Sequence, residues 1–152
     1  MSSYADLAVY NRHGQLTALV EIKNKPGTSP AWAAQLRHNL LARGGYDTAD
    51  FFLLVTPDWL YLWKNTSTAP PLAEPTYVIR AQSLVTPYCA RAGLDVLSLS
   101  NHAFELVVIA WLSDLIRSDK PPKQRAKGQR WLVESGFLPA IQDGRLAYEV
   151  SV

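Results

Sequence analysis

A single cysteine, Cys89, among 152 residues leaves no partner for an internal disulfide and too few thiolates for a cysteine-based zinc site. Cys89 reads as a packing residue, and the three histidines, His13, His38 and His102, show no ligand spacing. Long apolar runs are missing as well. None approaches the roughly 18 residues of a membrane span, and the opening Met1-Ser2-Ser3-Tyr4-Ala5-Asp6 has neither the basic nor the apolar region of a secretory signal. Charged residues are scarce at 18%, against 48% hydrophobic ones, which is too little charge for a disordered chain. These absences point to a cytoplasmic protein with no membrane partner. The length fits one domain over 1–152, because domains commonly run about 100–200 residues.

The net charge of +2 predicts no partner by itself, but its distribution is uneven. Between Arg117 and Trp131 lie Arg117, Lys120, Lys123, Arg125, Lys127 and Arg130 against Asp119 alone, a local +5, so the remaining chain carries −3. This stretch is either a solvated loop, marked by Pro121-Pro122, or an electrostatic footprint for an anion. In the second reading Lys120, Lys123, Arg125, Lys127 and Arg130 contact phosphates, giving salt-dependent, sequence-independent affinity for DNA.

Proline and glycine punctuate the rest. Residues 5–10 and 16–23 are rich in Val, Leu, Ile and Tyr and flank a short connection containing Gly14, which predicts an antiparallel strand pair. Ser29-Pro30 offers an N-cap followed by proline at the first helical position, and Gly44-Gly45 closes the segment, so 30–43 is expected to be a helix. Residues 51–55 and 59–63 form a second strand pair, the first of them central because it is apolar throughout. Residues 65–75 are a polar, proline-bearing loop that separates a motif-bearing core over 1–64 from a helical extension with a C-terminal hairpin over 76–152. In that extension 76–79 is a short strand. Residues 101–117 form a helix, apolar on every side between Leu106 and Leu112 and therefore expected to be buried on several sides. Residues 129–135 form a helical turn, and Asp143-Gly144 opens the closing hairpin.

The chemistry concentrates in the first strand pair. With His13-Gly14 as a two-residue turn, Arg12 pairs with Gln15 and Asp6 falls opposite Glu21. Alternation then sets Lys23 on the same face, while Leu7, Val9, Val20 and Ile22 point to a core. Two opposed carboxylates are unfavourable unless positive charge lies between them. Lys23 supplies part of it, and a divalent cation would supply the rest, with Asp6, Glu21 and the Ile22 backbone carbonyl as ligands. Manganese is the alternative to magnesium there. The other reading of the three residues is a surface salt bridge on an open hairpin face.

Asp6 after Ala5, a hairpin, then Glu21-Ile22-Lys23 resembles the PD-(D/E)XK nuclease superfamily, the restriction-endonuclease-like fold. Tyr4-Ala5-Asp6-Leu7-Ala8-Val9-Tyr10 and Leu19-Val20-Glu21-Ile22-Lys23-Asn24 are similar to the N-terminal nuclease domain of type I restriction enzyme motor subunits. Phe52-Leu53-Leu54-Val55-Thr56 and Leu60-Tyr61-Leu62-Trp63 resemble the strand pair after that family's central helix. The likeness covers roughly residues 4–64. It implies an α/β domain with a central mixed sheet flanked by helices, and a magnesium-dependent nuclease that hydrolyses DNA phosphodiester bonds with metal-activated water. In that scheme Lys23 assists the water and Gln35, with Asn39 one turn on, contacts the site from the following helix. Gln35 reads otherwise as a solvent-facing residue. The pairing habit of restriction-type enzymes makes a homodimer a natural expectation.

Ala5 stands where the motif usually has proline. The family's opening helix, often acidic, has no room in the five residues before Asp6. Either the chain lacks it, or the sequence is trimmed, or the helix over 101–117 fills its place with Glu105 as the acid, a residue that the helix dipole also explains. Trp59, Tyr61 and Trp63 alternate on one strand face, as core or partner contact or as a stacking surface for unpaired bases. The competing functions are a catalytically silent nuclease-fold module that binds nucleic acid or a protein partner, and an interaction protein that uses the fold as scaffold.

Overall fold

A computed structural model of the chain describes residues 4–42, 49–64, 72–91, 93–95, 98–117 and 129–151. The strands are β1 (Tyr4–Tyr10), β2 (Leu16–Ile22), β3 (Phe51–Val55), β4 (Trp59–Lys64), β5 (Tyr77–Arg80) and β6 (Arg145–Ser151). The helices are α1 (Pro30–Leu41), α2 (Gln82–Arg91), α3 (Asn101–Arg117), α4 (Trp131–Glu134) and α5 (Phe137–Ile141). The strands form one mixed sheet in the order β5-β4-β3-β2-β1-β6. Only β2 and β3 run parallel, on either side of α1 in the sequence; the other neighbours are antiparallel. β3 is buried at every position, as its unbroken apolar run requires of a central strand.

The sheet separates two cores. Leu7, Val9, Val20, Ile22, Leu53 and Leu62 pack with α2, α3, α4 and α5 on one side. Ala8, Leu19, Phe52, Leu54, Tyr61 and Trp63 pack with α1 on the other. Helix α1 starts where expected: Ser29 Oγ accepts the Trp32 amide proton at 3.2 Å, and Pro30 occupies the first turn, where its missing N–H costs nothing. Its buried Ala33 and Ala34 let the helix lie close on the sheet. Among the described residues, no helix is long and apolar enough to cross a membrane.

Three expectations are corrected. The turn between β1 and β2 is not a two-residue turn at His13-Gly14. Asn11 N–H donates to the Gln15 carbonyl at 2.8 Å and Gly14 N–H to the Asn11 carbonyl at 2.9 Å, with Gly14 left-handed at φ 78°, so the loop is Arg12-His13-Gly14. Asn11 Oδ1 holds it by accepting the His13 and Gln15 amides. Second, α3 is not buried on several sides. Phe104, Val108, Trp111, Leu112, Leu115 and Ile116 form its buried stripe while Leu106 is 52% exposed, because one face of the helix meets the sheet and the other meets solvent.

Third, the C-terminal residues make no hairpin of their own. Gly136, at φ 83°, separates two short helices, and the strand after Gly144 crosses to pair with β1 as the sheet's edge. Helix α2 has no counterpart in the sequence reading, since Pro87 inside it disguises a helical pattern. Of the loop over 65–75, residues 65–71 lie outside the described residues.

Candidate active site

Alternation along β2 divides its side chains. Ala18, Val20 and Ile22 belong to the α3 side, whereas Leu19 belongs to the α1 side, and Glu21 follows Leu19. Across the hairpin, Leu7 faces Val20, Ala8 faces Leu19 and Val9 faces Ala18, which carries forward to Asp6 opposite Glu21. The expected register is therefore present despite the longer turn. The three-residue loop sets Tyr10 opposite Leu16, and the register then shifts so that Thr17 is an extra residue in β2. The bulge at Thr17 cancels the odd residue of the loop; were Thr17 paired in the ladder instead, every side chain beyond would change face.

Asp6 itself leaves the regular pleat. The β1–β6 ladder skips it, and the β1–β2 ladder ends at Leu7. Its half-buried carboxylate reaches across the strands instead, and Oδ2 accepts the Ile22 amide proton at 2.8 Å. On the other edge of β2 the Lys23 amide bonds the Val55 carbonyl at 3.0 Å. Strand alternation therefore turns both the N–H and the C=O of Ile22 toward the β1 side, where Asp6 lies.

Asp6 lines a cavity of about 170 Å³ together with Leu7, Ile22, Glu105, Ile109 and Tyr148. Glu105 and Ile109 are one turn apart on α3 and so share a face. The start of α3 is fastened to the end of β2 by Asn24, whose side-chain amide donates to the Leu99 carbonyl at 2.8 Å and to Asn101 Oδ1 at 3.1 Å. Helix α3 thus brings an acid, Glu105, onto the cavity that Asp6 lines.

Glu21 is 3% exposed and lies one residue before the amide that Asp6 holds. The two carboxylates do not share an open face as expected. Asp6 turns toward the cavity under α3, while Glu21 belongs by alternation to the α1 side, so they flank the Glu21–Ile22 peptide. Lys23, half-buried, is the next residue on Glu21's side of the strand.

The remaining candidates are dispersed. Gln35 is exposed and donates to Asn39 Oδ1 at 3.1 Å, on the side of α1 opposite its buried Ala33, Arg37 and Leu40, so it points away from the sheet. Lys120, Lys123, Arg125 and Lys127 lie outside the described residues. Arg130 is exposed just before α4, and Arg117 is paired with Asp114 at 2.9 Å on the surface. Cys89 is buried, and that burial, with Asp95 nearby, pushes its thiol pKa up, as suits an inert packing residue. The aromatic stripe of β4 splits: Tyr61 and Trp63 are core, while Trp59 stays half-buried with Arg80 of β5 over its ring at 5.0 Å. Sequence reading missed Arg80, because only the β4–β5 register reveals that it faces Trp59.

Among the described residues no three His, Cys, Asp or Glu side chains gather as a ready-made metal cage. The cavity instead brings two carboxylates, Asp6 and Glu105, to one lining; magnesium is usually held by one or two carboxylates and completes its shell with water and substrate phosphate. No family model matches the chain, and neither does a curated protein or a solved structure.

Proposed function

We propose that the chain is a magnesium-dependent nuclease of the PD-(D/E)XK type that hydrolyses DNA phosphodiester bonds. The observation that carries this reading is the bond from the Ile22 amide to Asp6 Oδ2, which ties the first half of the motif to the middle of Glu21-Ile22-Lys23. An Asp and a Glu-x-Lys at a loose interval are common in sequences, but a carboxylate seated on the amide of the residue between the Glu and the Lys is a narrower arrangement.

Asp6 keeps its second oxygen and the remaining lone pairs of the first for a cation. The Ile22 carbonyl is the neutral donor beside it, and Glu105 is the second acid on that cavity, while Glu21 lies across the strand on the other side of the sheet. Magnesium, when bound, supplies Lewis acidity toward a phosphate oxygen and toward water. The motif gives Lys23 the role of orienting the attacking water and offsetting charge on the phosphate, and alternation sets it just past the end of β2 on Glu21's side, across the strand from the cavity of Asp6. The apolar Leu7, Ile22 and Ile109 around the cavity limit bulk water and so strengthen these interactions.

A second reading is a catalytically silent module of the same fold that binds nucleic acid or a protein. Glu21's burial, and its position on the other side of the sheet from the cavity of Asp6, favour it. Incubation with supercoiled plasmid and with single-stranded DNA, plus magnesium or manganese, separates the two. The nuclease reading expects cleavage by the wild type that Asp6→Ala and Lys23→Ala abolish. Equal cleavage by the variants rejects this site, and salt-sensitive binding without cleavage selects the silent module.

A further inference from the structure

The turn that joins β3 to β4 holds two other segments in place. Asp58 Oδ2 accepts the Gly27 amide at 2.6 Å, and the Asp58 carbonyl accepts the Ala81 amide at 3.0 Å. The first bond seats the loop before α1 and the second seats the end of β5. Each of these segments carries a cation over an indole: Lys25 lies 5.4 Å from the Trp32 ring, and Arg80 lies 5.0 Å from the Trp59 ring. Both indoles are half-buried against the α1-side core, and both cations are exposed. Beside the second pair a cavity of about 240 Å³ is lined by Asp58, Trp59, Arg80 and Gln82.

We infer that this surface binds an unpaired nucleic-acid strand, with bases stacking on the Trp59–Arg80 and Trp32–Lys25 pairs and phosphates contacting Lys25 and Arg80. Single strands are held by aromatic and guanidinium planes for the bases and by positive charge along the backbone, and both are present here. The one acid among the described residues that line the cavity, Asp58, already receives the Gly27 amide, which offsets its repulsion of a phosphate. The surface also lies at the end of β2 where Glu21 and Lys23 are found, two residues from Lys25. A duplex presents no free base faces to such pairs, so the surface favours single-stranded segments. As a statement about substrate the inference rests on the nuclease reading, but strand binding is measurable without cleavage.

The experiment is fluorescence anisotropy in EDTA with a labelled oligothymidylate of roughly 16 nucleotides, at the upper end of common single-strand site sizes, an oligouridylate of equal length, and a duplex. Single strands should bind more tightly than the duplex, and the two homopolymers distinguish DNA from RNA as the preferred source. The double variant Lys25→Ala/Arg80→Ala, both exposed positions, should weaken binding about tenfold at low salt and lower the slope of log K against log salt by about 1.4, at about 0.7 per phosphate contact. Trp59→Phe should retain most of the binding that Trp59→Ala loses. Duplex binding equal to single-strand binding, or a double variant that binds like wild type, overturns the inference. So does a wild type that ignores every oligonucleotide, which would leave the two pairs as packing or a protein contact. Strand binding that depends on Lys25 and Arg80 in a protein that cuts nothing supports this surface while rejecting the nuclease.

Discussion

The Asp6 carboxylate takes the Ile22 amide proton at 2.8 Å, a place in the sheet where a backbone carbonyl would ordinarily serve. Asp6 itself stands in neither ladder of its own strand. A side chain that replaces a ladder bond fixes its own carboxylate relative to the neighbouring strand, and that strand carries Glu21 and Lys23. The same residue therefore acts twice: it closes the end of the hairpin and presents its free lone pairs to the cavity under α3.

These two roles separate on substitution. Asp6→Asn keeps an oxygen that can accept from Ile22, so its stability should fall by less than about 1 kcal/mol. Asp6→Ala leaves the amide unpartnered and should cost about 1–3 kcal/mol. Both remove the charge a cation needs and should abolish cleavage. Urea unfolding and plasmid nicking on the same preparations check the pair. Cleavage retained by the Asn variant would mean that the carboxylate is structural only.

The sheet and its helices were legible wherever a strong local signal existed. The apolar run Phe51–Val55, the Ser29-Pro30 cap and the hydrophobic hairpin strands sufficed for β1 to β4 and α1. Elements whose identity depends on tertiary partners were not legible. Helix α2 carries Pro87, and β6 finds its partner, β1, more than a hundred residues away. In the site, Asp6 opposite Glu21 came from the right register for the wrong reason, since a longer turn and a bulge cancel. Alternation could not foresee that Asp6 would leave the pleat, so the shared polar face it implied is divided between two sides of the sheet. Glu105 reaches the cavity through Asn24's grip on α3, a contact between residues 77 apart that spacing cannot reveal.

The extra residue at Thr17 has a sharp test. Deleting Thr17 removes the bulge but leaves Tyr10 opposite Leu16 and Val9 opposite Ala18, so Leu7 and Val9 keep their core. The deletion should therefore fold with near-native amide dispersion by NMR. A collapsed spectrum would mean that the buried Thr17 itself holds the strand.

Alkaline pH should destabilise the protein through two phenols, the buried Tyr61 and the half-buried Tyr88. Tyr88 donates to Asp114 at 2.6 Å, and burial first, then that bond, raises its pKa; burial likewise raises the pKa of Tyr61. A raised folded-state value means that the folded chain keeps a proton the unfolded chain releases. The stability from this source is complete below about pH 10, the ordinary phenol value, and is lost as pH rises beyond it. Tyr88→Phe should start about 1–2 kcal/mol less stable, for want of the hydrogen bond, and then lose less between pH 10 and 11 than wild type. Parallel alkaline limbs for the two proteins in urea titrations would assign the pH response to other groups.

Glu105 is the residue on which cation binding can be judged apart from catalysis. It stands near the start of α3, where the helix dipole alone would favour an acid, yet it shares a cavity with Asp6. If the cavity holds magnesium, the folded state gains about 1.4 kcal/mol at a concentration tenfold above Kd, or about 3–5 °C in Tm for a chain of this size. Glu105→Gln preserves shape and removes charge, so it should reduce that magnesium-induced rise, and Asp6→Asn should remove it. The thermal shift is read without nucleic acid, so the result does not depend on turnover. A full magnesium response in Glu105→Gln with none in Asp6→Asn would return Glu105 to its dipole role and leave Asp6 with the Ile22 carbonyl as the binding unit.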